Sequence, residues 1–326
     1  MPVINSIAAL APEMREWRRW LHRHPELQFD LPQTSDFVAD RLLAFGVDEI
    51  HEGIARSGIV AIIEGRGTGP TIGLRADMDA LPILEATGAA HASESVGKMH
   101  ACGHDGHTAM LLGAAQYLAE TRNFDGTVVV IFQPAEEGGN GAKAMLDDGL
   151  VERFGIDEVY AIHNRPGLPV GQFAIRPGPQ LAAADEFAIE VVGKGGHAAE
   201  PNLAVDPLVI ACQIVVALQT IVSRNADPVA QTVVSVTSVE TSSHAFNVIS
   251  ERARCGARCA PIRPRCARWP SGGSARSRRR RRRRWAGGPR RPIPTAFRSR
   301  STRRRTPGSP LPPRRRWQAA ATSRRW

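Results

Sequence analysis

Apolar residues in the first three quarters of the chain follow two rhythms, short β-branched runs and helical stripes, whose alternation predicts an α/β domain. The stretch from Trp17 to Leu21 reads as the end of an amphipathic helix, which Pro25 interrupts in HRHPEL. A second helix begins near Pro32, buries Phe37, Val38, Leu42 and Phe45, and stops at Gly46. Strands are expected from Gly58 to Ile63, Thr71 to Leu74, Thr127 to Phe132 and Glu158 to Ile162. The clearest helix runs from about Asp105 to Glu120, with Leu111, Leu112, Ala115 and Leu118 on one side.

Near Ala184 the pattern changes. Phe187, Ile189 and Val191 alternate with polar residues, GKGGHAAEP makes a glycine-rich turn, an apolar helix spans about Val205 to Ser223, and an alternating strand runs from Gln231 to Val239. This β, α, β order marks a second, smaller α+β domain, placed at residues 184–251 after a first domain at 1–183. From about Arg252 the periodicity stops, and Arg278 to Arg284 is an unbroken arginine run. Residues 252–326 are expected to be a disordered Arg/Pro-rich tail, because such a composition buries too little apolar surface to offset chain entropy. Its residue types are those of GC-rich codons, which points to a change of reading frame.

Charge sharpens that division. The whole chain carries +10, yet 26 of its 42 Lys and Arg residues are arginines after Glu251, where no acid occurs. The first 251 residues keep 16 basic against 32 acidic residues, a net of −16, so the basic character belongs to the tail. The opening residues lack the pattern of a secretory signal, and no uninterrupted apolar run reaches membrane-helix length. Cys102 and Cys212 are too few for a disulfide framework, and Cys255, Cys259 and Cys266 have no histidine or acid beside them. A cytoplasmic protein without a membrane partner is the expectation.

The chemistry gathers where strands end. The strand at Thr71 leads into Asp77 and Asp79, the one at Thr127 into Glu136 and Glu137, and the one at Glu158 into His163. Carboxyl ends of strands in an α/β sheet line the ligand crevice. Met99 to Met110 adds Cys102, His104, Asp105 and His107 at a helix start. Thiolate, imidazole and carboxylate together suit a borderline divalent ion such as zinc, with manganese, cobalt and nickel as alternatives. Adjacent glutamates let one hold metal while the other moves protons, which metal-assisted hydrolysis needs. Each part has a plainer reading: His22, His24, His51, His91 and His244 as hydrogen-bonded or surface residues, the glutamates as a solvated face, Cys102 as a small buried side chain, and Asp77 and Asp79 as turn caps.

MHACGHDGHTAM, VIFQPAEEGGNGAKAML, GLRADMDALP, AIHN, GKGGHAAEP, SRNADP and LHRHPEL also resemble, in order from about Trp17 to Ile249, the metal-dependent N-acyl-amino-acid amidohydrolases. That family includes hippurate hydrolase, bacterial aminoacylases and the hydrolases of plant auxin conjugates. The resemblance implies a zinc-peptidase-like catalytic domain interrupted by a lid domain that dimerises, and a site of two divalent metal ions, zinc or manganese first. It implies Cys102, His104, Glu137 and His163 as ligands, Glu136 as general base and Asp79 as the aspartate that orients a ligand. His197 would stabilise the oxyanion and Asn247 would bind an N-acyl amino acid substrate. The implied reaction passes a water proton through Glu136 to the leaving amine and yields a carboxylic acid and a free amino acid.

The family pattern also includes a last histidine ligand and further lid strands and a lid helix, whereas no histidine follows His244 and the motifs stop near Ile249. Two rival readings follow: an inactive, truncated dimerising member of the family, or a nucleic-acid-binding chain in which the arginines neutralise phosphates. The tail has no recognisable reading module, so its contact with nucleic acid is expected to be adventitious.

Overall fold

A computed structural model describes residues 4–178, 181, 185–229 and 232–261. These fall into two units, one ending at Phe173 and the other beginning at Ala174.

The first unit runs α1 (Asn5–Arg23), α2 (Pro32–Phe45), β1 (Glu49–Ile54), β2 (Gly58–Glu64), β3 (Gly67–Asp77), α3 (His104–Thr121), β4 (Asp125–Gln133), α4 (Gly141–Asp147), α5 (Leu150–Phe154) and β5 (Glu158–Ala161). Its five strands are ordered β1-β2-β4-β3-β5, with β3 parallel to β4 and β5 and the other pairs antiparallel. The continuous apolar runs arise because both faces of the central strands are covered. Ile59, Ala61 and Ile63 on β2, with Val128, Val130 and Phe132 on β4, share a core with α1, α2 and α3. Val60, Val129 and Ile131 point the other way, to Met145 of α4, Leu150 of α5 and Ile156. The α2 helix ends where Gly46 adopts φ 70°, a left-handed cap that costs glycine little.

The second unit holds β6 (Asp185–Val192), β7 (Gly196–His197), α6 (Pro207–Arg224), β8 (Thr232–Thr241), β9 (Val248–Ile249) and β10 (Arg252–Pro261). Here the expectation for the tail is corrected. Arg252–Pro261 is a strand at the centre of an antiparallel sheet ordered β6-β10-β8. Ala253, Cys255, Ala257 and Cys259 alternate inward, 0–6% exposed, while Arg252, Arg254 and Arg258 face out, where Arg252 pairs with Glu190 at 2.9 Å. Period-two alternation was present, but with alanine and cysteine as its apolar members it was overshadowed by the arginines. The cysteines at 255 and 259 are therefore packing residues, and burial raises both thiols. The remaining tail expectations, including Cys266 and the arginine run, lie outside the described residues.

The α6 helix carries Asp206 as its N-cap, accepting from the Leu208 and Val209 amides, with Pro207 at the first helical position. Among the described residues it is the one helix long and apolar enough to cross a membrane by length and composition, although Gln213, Gln219 and Thr220 interrupt its apolar run. Its Ala211, Leu218 and Ile221 pack against Ile189, Val191 and Val234 of the sheet, while Leu208, Val209, Val216 and Val222 are exposed.

Candidate metal centre

Parallel pairing of β3 with β4 sets Asp77 opposite Gln133, and pairing with β5 brings that strand's end alongside. The residues just beyond these ends therefore share one rim with the start of α3. His104 is fully buried at the first position of that helix, and its ring is the hub. Its Nδ1 donates to the Asp79 carbonyl at 2.7 Å, which leaves Nε2 as the free ring nitrogen. That Nε2 is buried without a hydrogen-bond partner. Around it lie Asp77 Oδ2 at 3.7 Å and Glu136 Oε2 and Glu137 Oε1, each at 4.0 Å. Cys102 Sγ lies 3.4 Å from His163 Nε2.

Among the described residues three donor sets can be drawn, each containing His104: with Cys102 and His163, with Asp77 and His107, and with Glu136 and Glu137, donor atoms lying within 4.8 Å in each. A buried ring nitrogen with no partner, ringed by sulfur, nitrogen and oxygen donors, fits a borderline divalent cation. The electrostatics agree. Burial alone would lower the His104 pKa, yet the neighbouring Asp79 and Cys102 side chains and the Asp77 charge push it up to about 11. A field that holds a proton so strongly at this ring also favours a metal cation.

Of the predicted ligand residues, the structure brings Cys102, His104, Glu137 and His163 to this rim together with Glu136. Asp79 is 1% exposed, and its two carboxylate oxygens accept the Glu136 and Glu137 amides at 2.9 and 3.0 Å. Glu136 keeps its side chain 42% exposed against 12% for Glu137, so it faces the opening. Burial and then the Glu137 charge raise its carboxyl above the ordinary range. Asp77 and His107, both candidates by spacing, are committed to each other: His107 Nδ1 donates to Asp77 Oδ1 at 2.7 Å, and its Nε2 accepts the Asn164 amide at 3.0 Å. Asp77 Oδ2 also takes Arg75 at 2.7 Å, and although burial works against it, the His107 hydrogen bond and the Arg75 charge hold the Asp77 carboxyl well below the usual range.

His197 and Asn247 lie in the second unit. His197 of β7 pairs with Val248 of β9, just after Asn247, and the Ala198 amide donates to the Asn247 carbonyl at 3.0 Å. His197 is exposed, and its Nδ1 accepts the Ala199 amide at 3.2 Å.

Sequence reasoning missed the supports of this rim, Gln28, Arg75 and Asn164. Gln28 donates from its amide to the Glu137 carbonyl. The LHRHPEL motif ends one residue before Gln28, and AIHN contains Asn164, but neither says what these side chains touch.

The sequence model described as Peptidase family M20/M25/M40 matches residues 73–265, past the point near Ile249 where the motifs were expected to end. Hippurate hydrolase of Campylobacter jejuni is 46% identical over 251 residues, covering 77% of this chain and 65% of that protein. N-acetyl-L-cysteine deacetylase of Bacillus subtilis is 43% identical over 247 residues, covering 76% of this chain and 58% of that protein. The chain thus spans less than two thirds of these curated relatives. Among solved structures, the YXEP protein of Bacillus subtilis, described as a dinuclear metal binding peptidase from the M20 family, is 35% identical with a TM-score of 0.60, covering 83% of this chain and 72% of that one. A protein of methicillin resistant Staphylococcus aureus is 34% identical with a TM-score of 0.72, covering 91% of this chain and 77% of that one.

Proposed function

Because the chain belongs to peptidase family M20/M25/M40, we propose that it is a metal-dependent amidohydrolase that cleaves N-acyl amino acids of the hippurate type. The convergence of donors on the unpartnered His104 Nε2 carries this reading. Cys102, His104, Glu137 and His163 would hold two divalent ions, zinc or manganese before cobalt or nickel. Bound there, the ions supply Lewis-acid polarisation of an amide carbonyl and make water more acidic.

The chain's own residues do the rest. Glu136, open to solvent and with its carboxyl raised, takes the proton of the attacking water and returns it to the amine nitrogen as the amide bond breaks. Asp79 acts through others, fixing the His104 ring by its carbonyl and both glutamate amides by its carboxylate. By the motif resemblance His197 would stabilise the oxyanion, Asn247 would contact the substrate, and the second unit would act as a lid through which two copies pair. The described cysteines are free, which suits a reducing compartment such as the cytoplasm.

Metal content and turnover are separate measurements, because holding the ions and moving the proton fall to different residues. Elemental analysis of the full chain should find metal that Cys102→Ser reduces. Glu136→Gln should retain the metal and lose about 10²–10⁴-fold in benzoyl-glycine hydrolysis. Full metal in the first variant, or undiminished hydrolysis in the second, excludes the assignment.

A further inference from the structure

We propose that Gln28 is a positioning residue for the Glu136–Glu137 pair, a role that rests on the amidohydrolase reading. Gln28 and Ala135 both adopt left-handed backbone, φ 58° and 52°, although neither is glycine. Such conformations persist where the surroundings over-determine them, and they collect at functional sites. Here the two residues are tied to one another. The Ala135 amide donates to the Gln28 carbonyl at 3.0 Å, and the Gln28 side-chain amide reaches forward to donate to the Glu137 carbonyl.

The turn that carries the two glutamates is therefore gripped from both polar sides. Its N–H groups go to the Asp79 carboxylate and the Glu137 C=O to Gln28. Contact is close enough that a Cβ at Gly139 would meet Gln28 Oε1 at 2.6 Å and Ala135 Cβ at 2.5 Å. Gln28 is exposed in a tight turn that the Asp30 amide closes onto the Leu27 carbonyl at 3.0 Å, and this turn aims its side chain at the glutamate loop. What it holds is the peptide that sets the direction of the Glu137 side chain, whose Oε1 lies 4.0 Å from His104 Nε2. Supports behind ligand residues typically change metal affinity by about 10–100-fold when removed.

The test compares wild type with Gln28→Gly and Gln28→Glu in the full chain. It reads zinc and manganese affinity by competition with a chelating dye, and the unfolding temperature of the metal-free protein. Glycine relieves the left-handed strain while deleting the amide, so Gln28→Gly should keep or raise that temperature and weaken metal binding about ten-fold or more. Glu keeps the length but turns the donor into an acceptor, and should weaken binding similarly. Unchanged affinity in either variant, or weakening in both that merely tracks a fall in unfolding temperature, overturns the proposal. If wild type itself binds neither metal, the amidohydrolase reading fails and this role falls with it.

Discussion

Ending the chain at Glu251, where its periodicity first looks exhausted, should unfold the second unit, whereas ending it at Pro261 should not. The ten residues between form β10, and both β6 and β8 pair with β10 and not with each other. Removing it deletes Ala253, Cys255, Ala257 and Cys259 from the core, each at most 6% exposed. At about 0.8 kcal/mol per buried methylene-sized group, these two methyls and two CH₂–S groups amount to about 5 kcal/mol. Ile189, Val191 and Val234 lose their cover as well, and the ladder partners of both flanking strands disappear. A domain is typically stable by about 5–15 kcal/mol in all, so no sheet should survive. Hydrogen exchange read on peptides covering 185–192 and 232–241 checks this. Fast exchange is expected in the chain ending at Glu251 and protection in the chain ending at Pro261. Equal protection in both would refute the central placement of β10.

Two further outcomes follow from the first unit. The hydrogen bond from His22 to Asp105 at 2.8 Å raises the His22 pKa above its ordinary value near 6.5 despite opposing burial. Its protonated form therefore stabilises the fold fully below about pH 6.5, and that contribution is lost as pH rises through the raised folded value. Replacing His22 by Phe should cost more stability at pH 6 than at pH 9 in urea unfolding, and an equal cost at both would count against the linkage. Gly141 allows close approach of backbone: a Cβ there would lie 1.6 Å from the Pro134 carbonyl oxygen. Gly141→Ala should destabilise by about 1–3 kcal/mol or more and weaken metal uptake together, readable by the same unfolding assay and elemental analysis.

Much of this architecture was legible because its signals are local. The β-branched runs at Ile59–Ile63 and Val128–Phe132 are buried on both faces and announce themselves by apolar continuity. Glu49–Ile54 was not found, since half of this edge strand's residues are polar, all but Ile54 are at least partly exposed, and there is little alternation to read. The ligand types at strand ends were visible for the same local reason. What they lean on was not, because Gln28 and Glu137 stand 109 positions apart, and His107 and Asn164 stand 57 apart. Spacing along a chain reports the face a residue occupies, whereas these ties depend on which loops the sheet order brings together.

Asp79 joins three stretches of chain through three oxygen atoms, its carbonyl to the helix that begins with His104 and its carboxylate to the two successive glutamates. The energetic weight of His104 and that of Glu137 are thus not independent quantities. Loss of the His104 ring frees the aspartate whose carboxylate holds the backbone amides of both glutamates, so removing the Glu137 side chain as well should add less than it costs alone.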